Sequence, residues 1–133
     1  MEAKMTKKGR ELLCKAHAGI VTLSPVTYIA LGSGGCSDGT PIDVTGNEMS
    51  LKAELIRKET GAGTYAEELD AESGTYVVKA RYMVSLGKEE LSDSKISEAG
   101  LIDAEGNLVA YITFYEKGKD SGMEFTFYVD EIF

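Results

Sequence analysis

The chain has 133 residues, of which 43% are hydrophobic and 27% charged, a composition that fits one soluble compact domain over 1–133. Fourteen Lys and Arg against 22 Asp and Glu leave a net charge of −8, with no basic stripe to reverse it, so nucleic acid is not an expected partner. No run approaches the ~18–20 apolar residues of a spanning helix, and the charged start Met1 to Lys8 has no apolar stretch after it. The expectations are no membrane insertion, no secretory signal, and a chain that starts in a cytoplasm.

In chain order, Thr6 is an N-cap for a helix over Met5 to Ala18, with Gly19 as its C′ residue and Leu12, Leu13 and Ala16 on one stripe. Val21 to Leu23 and Val26 to Leu31 are β-rich, with Pro25 marking a strand start. Gly32 to Glu48 concentrates Gly, Ser, Asp and Pro and reads as a long loop. It contains neither G-x-x-x-x-G-K-[ST] nor G-x-G-x-x-G, so nucleotide binding is not expected. A short helix is expected from Met49 to Lys58, with Leu51, Leu55 and Ile56 inward and mixed charges outward.

Thr64 to Leu69 and Thr75 to Leu86 read as two strands, the second with strong period-two alternation. The acids Glu67, Glu68, Asp70 and Glu72 lead into Ser73-Gly74 and mark the hairpin connection. Water solvates acids in a turn, whereas a glycosidase pair needs a concave site and one raised pKa. Ile96 to Asp103 and Leu108 to Tyr115 form a second hairpin around Gly106, and Met123 to Phe133 is a final strand. Asp103, Glu105 and Asn107 alternate oxygen ligands as a calcium loop does, but Gly106 falls at the fourth place and Phe114 where the bidentate Glu belongs.

Catalytic chemistry finds little material. His17 is the single histidine, three residues from Cys14 on the first helix, and Cys36 stands alone in the loop. Two ligands do not make a metal site, and no nucleophile-base pair suggests itself, so no catalytic residue, metal or cofactor is expected. Seven of the eleven aromatic residues lie between Tyr111 and Phe133, and both faces of Leu108 to Tyr115 are apolar. Something must cover the second face: a second sheet layer, another subunit, or both. The candidate assembly interface is therefore Tyr111, Tyr115, Phe125, Phe127 and Tyr128. The expected architecture is α+β, sandwich-like and hairpin-rich, with the N-terminal helix packed on antiparallel β-sheets.

The order of motifs resembles the N-terminal domain of bacteriophage tail-collar and tail-fibre proteins. The matching pieces are T-K-x-G-R-E-L-x-x-K-A-x-A-G (Thr6 to Gly19), Y-I-A-L-G-S-G (Tyr28 to Gly34), Leu-x-x-E-x-x-R (Leu51 to Arg57), the strand V-V-K-A-R-Y-M-V, and E-A-G-L-I-D-A-E-G-N-L-V-A (Glu98 to Ala110). The resemblance implies a non-enzymatic virion structural role in fibre attachment, collar or baseplate. It also implies assembly in the bacterial cytoplasm as a symmetric homo-oligomer together with other phage tail proteins. Fibre proteins of that family continue into a repetitive shaft, whereas this sequence ends about eighteen residues after Tyr115, so a short stand-alone tail or baseplate component is expected. Two other readings are a β-rich binding module that stacks a surface glycan on Tyr111 and Tyr115, and, with least support, a small hydrolase using the acids.

Overall fold

The computed structural model describes all 133 residues. In chain order the elements are β1 (Glu2–Met5), α1 (Lys7–His17), β2 (Val26–Gly32), β3 (Cys36–Ser37), β4 (Thr40–Pro41), β5 (Glu54–Glu59), β6 (Thr64–Leu69), β7 (Tyr76–Leu86), β8 (Ser94–Asp103), β9 (Leu108–Lys119) and β10 (Phe125–Ile132). Eight strands make one sheet in the order β5-β2-β8-β9-β1-β10-β7-β6, and β3 and β4 form a small separate hairpin. Every pairing in the large sheet is antiparallel except β1 with β10, so the sheet is mixed.

The expected α+β sandwich is not what forms. Strands take 51% of the chain and helix 8%, and the single sheet curls into a half-barrel. Two local reasons account for the difference. Met49 to Lys58 is not a helix: its C-terminal part is the edge strand β5, whose Ile56 lies opposite Leu31 of β2. Also, α1 does not make a layer, because only Gly9 of its residues is buried.

Curling is closed by side chains. The free edge of β7 beyond Arg81 meets the end of β5, where Lys58 Nζ donates to the Ser85 carbonyl at 2.7 Å and Thr60 Oγ1 to that of Met83 at 3.0 Å. Inside the curl a single cluster of 12 buried residues joins β1, β2, β7, β8, β9 and β10, including Ile29, Leu31, Leu86, Leu101, Phe127 and Val129. Burial of this apolar surface is the main term holding the barrel together. The outer face of β2, β8 and β9 is covered by the chain's own loop. Ala30, Ile102, Leu108 and Tyr111 pack under Leu51, with Val44 alongside. A loop thus supplies the cover that the doubly apolar strand demanded.

The Thr6 cap forms as expected. Gly9 N–H donates to Thr6 Oγ1 at 3.0 Å, and that hydroxyl donates to the Leu108 carbonyl at 2.6 Å, tying the helix start to β9. The helix then passes so close to β9 that a Cβ on Gly9 would collide with the Val109 carbonyl. Alanine in a helix is ordinarily favoured over glycine by about 1 kcal/mol, but overpacking against backbone costs about 1–3 kcal/mol and decides the sign here. Gly9→Ala is expected to lower stability by about 2 kcal/mol in urea unfolding; an unchanged or raised midpoint would contradict this packing.

Both expected hairpins are present. β6 and β7 pair from Thr64 opposite Arg81 to Leu69 opposite Tyr76; of the four acids expected in the connection only Asp70 and Glu72 lie there, while Glu67 and Glu68 are strand residues opposite Val78 and Val77. β8 and β9 pair through Leu101 opposite Ala110, around a turn in which Asp103 Oδ1 accepts from the N–H of Glu105 and Asn107. β1 has no periodic signal of its own. It forms because Ala3 can be buried between β9 and β10, more than a hundred residues away in sequence.

Candidate functional site

The side chains that could act on other molecules fall into three places. The first is the free half of the β6–β7 hairpin. Tyr65, Glu67 and Leu69 of β6 lie opposite Ala80, Val78 and Tyr76 of β7, so alternation puts all six on one face. That face is continuous with the core face carried further along β7 by Tyr82, Val84 and Leu86. Beyond Ala80 the rest of the barrel no longer covers it, and Tyr65, Leu69 and Tyr76 stand 67%, 58% and 64% exposed. The other face of the hairpin is charged, with Lys79 bonded to Glu68 at 3.2 Å and Arg81 forked onto Asp130 at 2.8 and 3.1 Å. Arg81 holds the Asp130 carboxyl below its ordinary range.

The second place is the aromatic C-terminal region, which the structure divides. Tyr111 and Phe127 are buried in the chain's own interior. Phe127 stacks obliquely on Phe114 and edge-on to Phe125, both at 6.1 Å, and Phe125 is half-buried. Tyr115 and Tyr128 are exposed, the second opposite the exposed Met83 and beneath the Arg81 guanidinium at 5.4 Å. Of the five candidate interface residues, only Tyr115, Tyr128 and the rim of Phe125 can therefore meet a partner without unfolding the half-barrel, and Phe133 is exposed beside them in sequence.

The third place is the carboxylate of Glu98, which is fully buried. Its Oε1 accepts from Lys52 N–H at 2.7 Å and from the Tyr111 hydroxyl at 2.8 Å; its Oε2 accepts from Gly34 N–H at 2.6 Å and Ala53 N–H at 3.0 Å. Burial and this bond push the Tyr111 hydroxyl well above the ordinary phenol range. With every lone-pair direction taken by donors of the chain itself, Glu98 is a structural hub. The glycine-rich segment owes its composition to the same neighbourhood. Gly34 and Gly35 run against β8, where Gly35 N–H donates to Ser97 Oγ at 2.8 Å and a Cβ would strike the Ser97 carbonyl.

Cys14 is exposed on α1, while Cys36 is half-buried with its thiol donating to the Phe114 carbonyl at 3.2 Å. No three His, Cys, Asp or Glu side chains are grouped so as to hold a metal ion. No helix is long and apolar enough to cross a membrane. Comparison of the chain with family models, curated proteins and solved structures returned no match.

Proposed function

We propose that the chain is a non-enzymatic structural subunit of a bacteriophage or prophage tail, a fibre-attachment, collar or baseplate component that acts by protein–protein assembly. The observation that carries this reading is the apolar hairpin face of Tyr65, Leu69 and Tyr76 left uncovered beside the core. A partner laid on it extends an existing core, so each large side chain covered contributes about 1.5–3 kcal/mol. The exposed Tyr115 and Tyr128 add a second contact region on the C-terminal strands. The motif order from Thr6 to Ala110 supplies the tail context, and assembly then takes place in the bacterial cytoplasm before the subunit enters the virion tail.

Symmetric self-association is the simplest cover, because each copy brings the same face. The net charge of −8 opposes it at low salt, so association tightens or holds as salt rises. Light scattering coupled to size-exclusion chromatography is expected to give a multiple of 14.3 kDa at moderate salt. Tyr65→Lys combined with Tyr76→Lys is expected to raise the dissociation constant by at least about 100-fold while leaving the far-UV spectrum unchanged. A wild-type mass of 14.3 kDa at every concentration would contradict self-assembly.

A further inference from the structure

Where β10 ends, the half-barrel holds a half-open cavity of about 200 Å³ between α1, the segment 23–26, β7 and β10. Its walls are mainly apolar, among them Leu13, Pro25, Val26 and Phe133, with Tyr82 on one side. Glu131 also lines it. This residue sits on the inward-facing register of β10, opposite Ala80 of β7 and Ala3 of β1, and is only 7% exposed. Yet its carboxyl, unlike those of Glu98, Asp103 and Asp130, makes no hydrogen bond or ion pair in the chain, and its oxygens keep a small opening to the water in the cavity.

The cations of the neighbourhood are committed elsewhere. Arg81 and Lys79 are on the opposite face of the sheet with Asp130, and the Met1 ammonium donates to the Tyr128 carbonyl at 3.0 Å. The polar residues that line the cavity with Glu131 are Tyr82 of β7, Asp103 at the end of β8, and Ser24; α1 contributes Gly9 and Leu13. Asp103 is already occupied by its own turn, accepting from Glu105, Asn107 and the Asn107 amide. A largely buried acid whose only partner is the little water that reaches it through the cavity is a costly arrangement that a bound cation relieves.

We infer that this cavity binds a small organic monoammonium ion, whose apolar body fills the cavity and whose nitrogen pairs with Glu131. The inference stands apart from the assembly reading. A divalent metal is the poorer occupant, since it needs several oxygen ligands and one free carboxylate is present. A guanidinium would carry five N–H groups into a wall with few acceptors, whereas an ammonium carries three. An anion meets two carboxylates, and a neutral apolar molecule leaves Glu131 as it is. Burial raises the Glu131 carboxyl to about 7, so the pairing is strongest above neutral pH.

Benzylamine and benzyl alcohol are the test pair, equal in shape and differing in charge. In titrations of the whole protein followed by amide NMR at pH 8, benzylamine is expected to saturate shifts of residues around Leu13, Ala80 and Glu131 with one site per chain. Benzyl alcohol should bind at least about tenfold more weakly, and benzylamine should weaken at least about tenfold at pH 5. Glu131→Gln is expected to keep the fold and lose the preference for the amine. If that variant does not fold, the amine-to-alcohol ratio on the wild type decides, and Leu13→Trp, which fills the cavity and leaves the acid, should abolish binding of both. Equal affinity for the two probes, no saturation at millimolar benzylamine, or an undiminished preference in Glu131→Gln would each overturn the inference.

Discussion

Glu98→Ala is expected to destabilise the protein by about 4 kcal/mol, the largest single-residue effect in the chain apart from gross core truncation. The substitution leaves the Gly34, Lys52 and Ala53 N–H groups and the Tyr111 hydroxyl without their acceptor. Each donor left buried and unpaired costs about 1–3 kcal/mol, and water entering the space recovers part of the sum. Two loops are released together, since the carboxylate clamps residues 33–35 on one side and 51–53 on the other. Leu51, which caps the outer cluster over Tyr111, then loses its anchor.

Graded variants separate the hub from simple volume loss. Glu98→Gln keeps the shape but presents an NH2 group to backbone donors, and is expected to cost about 2 kcal/mol. Tyr111→Phe removes one bond and leaves three, for about 1 kcal/mol. Urea unfolding gives the three values, and hydrogen exchange should show the Gly34, Lys52 and Ala53 amides losing protection first. Equal costs for Glu98→Ala and Tyr111→Phe would mean that the carboxylate does not hold the loops.

Much of the strand content was legible in the sequence because period-two alternation and turn chemistry are local signals. The alternation of Tyr76 to Leu86 and the Gly106 turn each predicted a hairpin that forms. What failed depended on distant partners. Leu51, Leu55 and Ile56 have helical spacing, but Leu51 stays in the loop and Leu55 and Ile56 enter an edge strand because β2 offers them a ladder. β1 is four residues long and is defined wholly by β9 and β10. The aromatic run from Tyr111 to Phe133 signalled a need for cover correctly, but composition does not say whether a loop or a partner provides it; Val44 and Leu51 provide it over Tyr111. Neither Glu98 nor Glu131 stood out among 22 acids, because each shares its strand with another acid, Asp103 on β8 and Asp130 on β10.

Glu131 gives the second large effect, and its sign is opposite to that of an ordinary paired acid. Burial alone raises its carboxyl from the usual 4.5 to about 7. Below pH 4.5 it is protonated in the folded and the unfolded chain alike, and the arrangement costs nothing in charge. Between 4.5 and 7 the unfolded chain releases the proton while the folded chain keeps it, so stability falls as pH rises, and above 7 the loss is complete. The span corresponds to a loss on the order of 3 kcal/mol. Asp130 acts the other way, since the hydrogen bonds from Arg81 lower its carboxyl. Its contribution disappears only on acidification below its ordinary value of 3.8, outside this window. Urea unfolding of the wild type is therefore expected to show a drop between pH 5 and pH 8 that Glu131→Gln removes, leaving the variant the more stable protein at pH 8. Parallel profiles for the two proteins across that range would show that the Glu131 carboxyl is solvated or paired in the folded chain, and the empty-handed acid in the cavity would then need no occupant.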